Sequence, residues 1–201
     1  MNNPTQAAPA NLSGTTSLEL LRNAGIIVIG SLIVAACAHV AVPLSFTPVP
    51  LTLQPFAVLL LGLALSPRMA AMTLAAYLAE GAMGLPVFAP GVTAVSGFAH
   101  LAGPTGGYLI AYPVAAYAIA SLWRGSNRSL VWALISAAAG NIILLGMGAL
   151  WLGILTGARL NAVLTEAVIP FLPGDGLKVA VAAVAGFEWY RVRRHHAAPT
   201  V

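Results

Sequence analysis

Residues 129–155 read SLVWALISAAAGNIILLGMGALWLGIL, and no charged side chain interrupts them. A bilayer hydrocarbon core is crossed by a helix of roughly 20 apolar residues, with a range of about 17–25. This stretch is long enough to span. Its apolar residues run continuously, whereas a transmembrane β-strand would alternate apolar and polar residues. The rest of the chain agrees with it. Of 201 residues, 7% are charged and 59% are hydrophobic. Soluble domains carry about 25% charged residues. A water-exposed shell cannot be built from so few, which excludes a soluble enzyme, a disordered regulator and a nucleic-acid binder. The single cysteine excludes a disulfide framework and a cysteine-based metal site.

Working outward, further apolar runs occupy Ala24 to Val42, Leu51 to Leu65, Arg68 to Gly84, Thr105 to Trp123 and Asp175 to Tyr190. With Ser129 to Leu155 they make six helices. Pro55 and Pro67 stand where a helix opens, so no backbone hydrogen bond is lost. Leu160 to Ile169 is apolar enough for a short extra helix, and Pro170 and Pro173 then break the chain. The fold class is an all-α integral membrane protein, a compact bundle of six transmembrane helices over 24–190. Residues 1–23 form a polar N-terminal tail and residues 191–201 a basic C-terminal tail.

The basic residues fix the orientation. Six spans put Arg22, Arg68, Arg124, Arg128, Arg191, Arg193 and Arg194 on one side, and only Arg159 and Lys178 on the other. The positive-inside rule makes the first side cytoplasmic, and both termini with it. The expected location is the cytoplasmic membrane. Val34-Ala35-Ala36-Cys37 resembles a lipoprotein cleavage box, but the segment before Arg22 is polar and contains Glu19. A secretory signal has a basic start. Cys37 is read as a small buried residue of the first helix.

The inner connections are short and the outer ones long. Pro43 to Gln54, Leu85 to Pro104 and Thr156 to Gly174 are rich in proline and aromatic residues, and all three lie on the outer side. Non-helical backbone at a bilayer is buried in protein or lines a polar cavity. One face therefore supports, and the other holds something.

Few polar groups carry chemistry. Asp175 and Lys178 share a helical face at spacing i, i+3. An Asp at a helix start caps orphan N–H groups, while a lysine there opposes the macrodipole and needs a compensating partner, either the Asp or a ligand. A capping pair and a binding pair both stay open. Glu80 and Glu166 are expected at the interface. His100 precedes Gly103-Pro104-Thr105-Gly106-Gly107-Tyr108, whose glycines allow close backbone approach. No Gly-Lys-Ser/Thr follows, so it is not a nucleotide loop. Metal-ligand and catalytic patterns are missing, so neither an enzyme nor a cofactor is expected. Small residues recur at spacing four in Ser31/Ala35, Ala71/Ala75/Ala79 and Ala149/Gly153/Gly157, which permits close helix packing. The last two sets are expected inside the bundle; Ser31 and Ala35 are expected to face another protein.

Four motifs together carry a resemblance. Pro43 to Gln54 (PLSFTPVPLTLQ) resembles the first-loop signature of BioY proteins, the biotin-binding S components of energy-coupling-factor transporters. Gly84-Leu85-Pro86-Val87-Phe88, the stretch Gly103 to Tyr108, and Pro170 to Lys178 (PFLPGDGLK) resemble three further motifs of that family, in the same order. The resemblance covers roughly residues 26–190. It implies an S-component fold with biotin near the outer face, and ligand contacts from Asp175 and Lys178. Members often carry an arginine shortly before the GPTGGY-like motif; this chain has His100 there. Gln54 closes the first motif, and Phe88, Tyr108 and Phe171 suit the apolar walls that fused rings need. The implied partners are a transmembrane T component, met through Ser31 and Ala35, and ATP-hydrolysing subunits. The alternative is a self-contained ion-coupled transporter of another small solute, with Glu80 or Glu166 carrying the proton. Such carriers often show internal repeats, and none is visible here.

Overall fold

The computed structural model describes residues 17–90 and 96–196. Residues 1–16, 91–95 and 197–201, which hold most of the N-terminal tail, part of the second outer loop and the end of the basic tail, lie outside the described residues. The chain order is α1 (Ser17–His39), β1 (Ala41–Val42), β2 (Leu51–Thr52), α2 (Gln54–Ala64), α3 (Pro67–Ala82), α4 (Phe98–Leu101), α5 (Gly106–Gly125), α6 (Leu130–Thr156), α7 (Leu160–Ala167) and α8 (Leu172–His196).

Each expected apolar run contains a helix, but the ends differ. α1 starts at Ser17 and α8 runs to His196, so helix continues into both tails. The added segments hold Leu, Glu and Arg, which favour helix without being lipid-soluble. Val42 and Leu51 leave their helices and pair instead in a small antiparallel ribbon, with Ala41 opposite Thr52 and Val42 opposite Leu51. Pro55 and Pro67 lie in the first turns of α2 and α3. α7 and α8 meet at a bend of 51° across the proline-rich break.

Among the described residues α1, α5 and α6 are long and apolar enough to cross a membrane, and the bent α7–α8 pair makes a fourth when taken as one broken span. α3 has 16 residues and α2 only 11, about 24 and 16 Å of helix. Many large apolar side chains point outward, among them Ile29, Leu32, Ile142, Leu150 and Ile154. A soluble monomer does not expose so much apolar surface.

The core has three parts. Val34, Ala57, Leu74, Tyr77, Ala111 and Ala115 belong to one, joining α1, α2, α3 and α5. Leu59, Ile119, Trp123, Ala137 and Ala183 make a second among α2, α5, α6 and α8. Val49, Leu152, Val163 and Phe171 make a third beneath the first outer loop. Cys37 packs partly buried against the first. Glycines set the spacing: a Cβ on Gly62 or Gly140 would fall within 3 Å of the Ile119 side chain.

Two small-residue expectations are corrected. Ser31 is fully buried and Ala35 nearly so, because α1 packs this side on α3. The Ser31 hydroxyl donates to Glu80 Oε1 at 2.9 Å. Glu80, partly exposed, is therefore tied to α1, and in this chain Ser31 and Ala35 are covered by the bundle's own packing rather than lying on open surface. Conversely, Ala75 and Ala79 are exposed on α3, where Ala70, Thr73, Leu74 and Tyr77 take the inner side.

Candidate functional site

The helix ends on the side of the long loops surround a cavity with an empty volume of about 970 Å³, its open mouth included. The first outer loop gives Pro48, Val49 and Pro50, α5 gives Tyr108 and Tyr112, α6 gives Asn141 and Leu144, and α8 gives Asp175 and Lys178. Phe171, Gln54, His100 and Thr105 complete its walls.

The polar end is built on α8. The helix begins at Leu172, so Asp175 stands within its first turn rather than capping it; its N–H donates to Phe171 O at 2.8 Å. The carboxylate keeps a favourable place near the positive end of the helix. Lys178 Nζ donates to Asp175 Oδ1 at 2.9 Å, with side chains 11% and 4% exposed. The Asp thus compensates the lysine, and both line the cavity.

Gln54 faces the cavity but is also tied down. Its Nε2 donates to Tyr77 Oη at 2.6 Å, Thr52 donates to its Oε1 at 3.2 Å, and Tyr77 donates to Val87 O at 2.9 Å. This chain links the ribbon, α2, α3 and the second outer loop. At the mouth, His100 sits on α4, with Nε2 3.4 Å from Thr105 Oγ1 and its ring 5.0 Å from that of Phe88. Tyr108 and Phe171 face each other at 6.2 Å. Tyr108 donates through its hydroxyl to Ala167 O, and Thr47 donates to Glu166 O at 2.9 Å. Both bonds fasten the α7 segment over the site.

Phe88 is a correction. It does not line the cavity; its ring is buried edge-on to Tyr77 at 5.5 Å and so close over Gly81 that any Cβ there would collide. It supports the wall, and its neighbour Ala89 reaches the cavity. The glycines before Tyr108 serve packing: Gly107 lies where a Cβ would sit 2.2 Å from Trp151 Cβ, and Trp151 Nε1 donates to Gly103 O at 2.8 Å. Asn141 escaped the sequence reading. Its signal is an amide in the middle of an otherwise apolar span, which counting spans treats as tolerated.

A family model described as the BioY family matches residues 6–195. The chain belongs to the BioY family. It is similar to the "Probable biotin transporter BioY" of Pyrococcus horikoshii, with 40% identity over 143 residues, covering 71% of this chain and 82% of the relative. It is also similar to the "Biotin transporter BioY" of Thermotoga maritima, at 36% identity with 73% and 83% covered. The "Biotin transporter BioY2" of Lactococcus lactis is 31% identical, with 85% and 91% covered. Among solved structures, the fold matches a crystal structure described as the S-component for biotin from an ECF-type ABC transporter. The TM-score is 0.78 and the identity 25%, covering 89% of this chain and 95% of that one. The BioY family is a family of transporters, and this member has the architecture of a multi-pass membrane protein.

Proposed function

We propose that this protein binds biotin from the outer side of the cytoplasmic membrane and serves its uptake as the substrate-specific component of an ECF transporter. One observation carries the reading: the buried Asp175–Lys178 pair stands at one end of a mainly apolar cavity, in a chain whose relatives are named biotin transporters. Biotin needs an apolar bed for its fused rings, acceptors for two ureido N–H groups, and donors for its ureido carbonyl and its carboxylate. Asp175 accepts and Lys178 donates. Tyr108 and Phe171 flank the rings, Gln54 holds the wall, and His100 stands at the mouth toward the carboxylate. Phe88 backs this arrangement from behind.

The six spans are α1, α2, α3, α5, α6 and α8, making up a membrane unit at 24–190 with both termini cytoplasmic. No chemistry is performed on the ligand and no cofactor is used. The chain holds no nucleotide loop, which leaves a partner or an ion gradient as the energy source; the likeness to an S-component of an ECF-type ABC transporter supports a transmembrane T component and ATP-hydrolysing subunits. The test is binding of labelled biotin to the purified chain, with riboflavin and thiamine as competitors. Saturable binding displaced by biotin alone is expected. No binding, or displacement by either other vitamin, overturns the assignment.

A further inference from the structure

Asn141 lines the cavity, is 8% exposed, and leaves Oδ1 without a hydrogen-bond partner among the described residues. It stands about three turns into α6 from Leu130, far from either helix end. A buried unpaired amide is unfavourable, and buried polar groups are normally satisfied. A leucine would suit this span better unless the cavity's occupant supplies the missing partner.

The geometry points to Asn141 as a specificity-determining residue that accepts a hydrogen bond from one of the two ureido N–H groups of the ligand; this rests on the biotin reading above. Counting donors and acceptors leads there. A cyclic urea has two N–H donors and one carbonyl acceptor. Asp175 gives Oδ1 to Lys178, leaving Oδ2 for one N–H. Lys178 has further protons for the carbonyl. The second N–H then needs another acceptor, and Asn141, whose Oδ1 has no partner among the described residues, lines the same cavity. With it, every polar group of the ring head is matched. Without it, that N–H is left toward the wall formed by Leu144 and Tyr112, where only the Tyr112 hydroxyl could accept.

The test uses the purified full chain as wild type, Asn141→Leu and Asn141→Ala. Three ligands are compared: biotin and the two isomers methylated at a single ureido nitrogen. An unpaired buried donor costs about 5- to 150-fold in affinity. Both variants should therefore bind biotin roughly 10- to 100-fold more weakly than wild type. For one isomer, methylation should weaken wild type but produce little further loss in the variants. For the other, the loss should be the same in all three proteins. The ligand-free melting midpoint of Asn141→Leu should hold or rise, because an orphan acceptor has gone. Variants that bind biotin like wild type, or that lose both isomers equally, overturn the assignment. A ligand-free midpoint that falls in step with affinity in both variants does so too, since Asn141 would then be structural. Wild type failing to bind biotin sinks the biotin reading itself; wild type binding with unaffected variants sinks only the role of Asn141.

Discussion

At the scale of single residues, Asp175 and Lys178 are one unit. Their 2.9 Å contact is largely shielded from water, and removing one member of such a pair leaves a charge uncompensated. The cavity admits some solvent, so the penalty falls below that of a fully buried pair, at about 1–3 kcal/mol by comparison with unpaired polar groups. Asp175→Asn and Lys178→Met should each lower the ligand-free melting midpoint, and the double variant should recover much of that loss. Biotin affinity behaves differently. Each single change should weaken binding by about one to two decades, since a hydrogen bond to a charged group contributes about 1.5–3 kcal/mol. The double variant should stay weak, yet less weak than the two losses multiplied. Calorimetric titration of all four proteins, each with its melting curve, checks both halves. Wild-type affinity in both single variants would reduce the pair to a structural contact.

At the scale of elements, glycine spacing decides how closely helices meet, and this is open to a paired test. A Cβ on Gly107 would strike Trp151 Cβ at 2.2 Å and Met147 O at 2.6 Å, whereas one on Gly25 meets nothing within 4 Å. Gly107→Ala should destabilise by about 1–3 kcal/mol, because overpacking forces α5 and α6 apart. Gly25→Ala should be neutral or stabilising by up to about 1 kcal/mol, as alanine favours helix. Thermal melting in detergent compares them; equal midpoints would mean that α5 and α6 do not pack this closely. The same elements mark what sequence can reveal. Hydropathy located every major helix because lipid solubility demands long apolar runs. It did not see the ends of α1 and α8, where helix propensity rather than lipid sets the length. The polar pair of the site was legible from its i, i+3 spacing. Phe88 was misplaced because an aromatic in a loop reads as a lid, and only the third dimension reveals Gly81 beneath its ring. Ser31 was misplaced because small residues suit a partner's helix as well as a neighbour's, and the spacing is the same for both.

At the scale of the whole molecule the two ends differ in kind. The outer end holds the cavity and its tied loops. The inner end is braced by arginine: Arg124 Nε donates to Leu65 O at 3.2 Å, and Arg128 and Arg193 lie over Tyr190 and Trp189 at 5.0 and 4.8 Å. The clustered arginines fit the cytoplasmic placement proposed for this end. The open point is α2 and α3, since about 16 Å of helix cannot by itself cross about 30 Å of hydrocarbon. Yet α2 buries Ala57, Val58, Leu59, Leu61 and Leu63 among its neighbours. A helix enclosed by protein does not have to match the bilayer, and irregular backbone is tolerated where protein covers it. The expected arrangement therefore puts the first outer loop and the α2–α3 turn on opposite sides. With Cys37→Ser as background, Ser45→Cys in the loop should react with a membrane-impermeant thiol reagent in intact cells. Ser66→Cys in the turn should react only after the membrane is opened. A reporter after Val201 adds the second half: a fluorescent protein should glow, and a phosphatase that works only outside should stay silent. Labelling of Ser66→Cys from outside would remove α2 and α3 from the count of spans. Only Arg68 would then change sides, and the remaining arginines would still hold both termini in the cytoplasm.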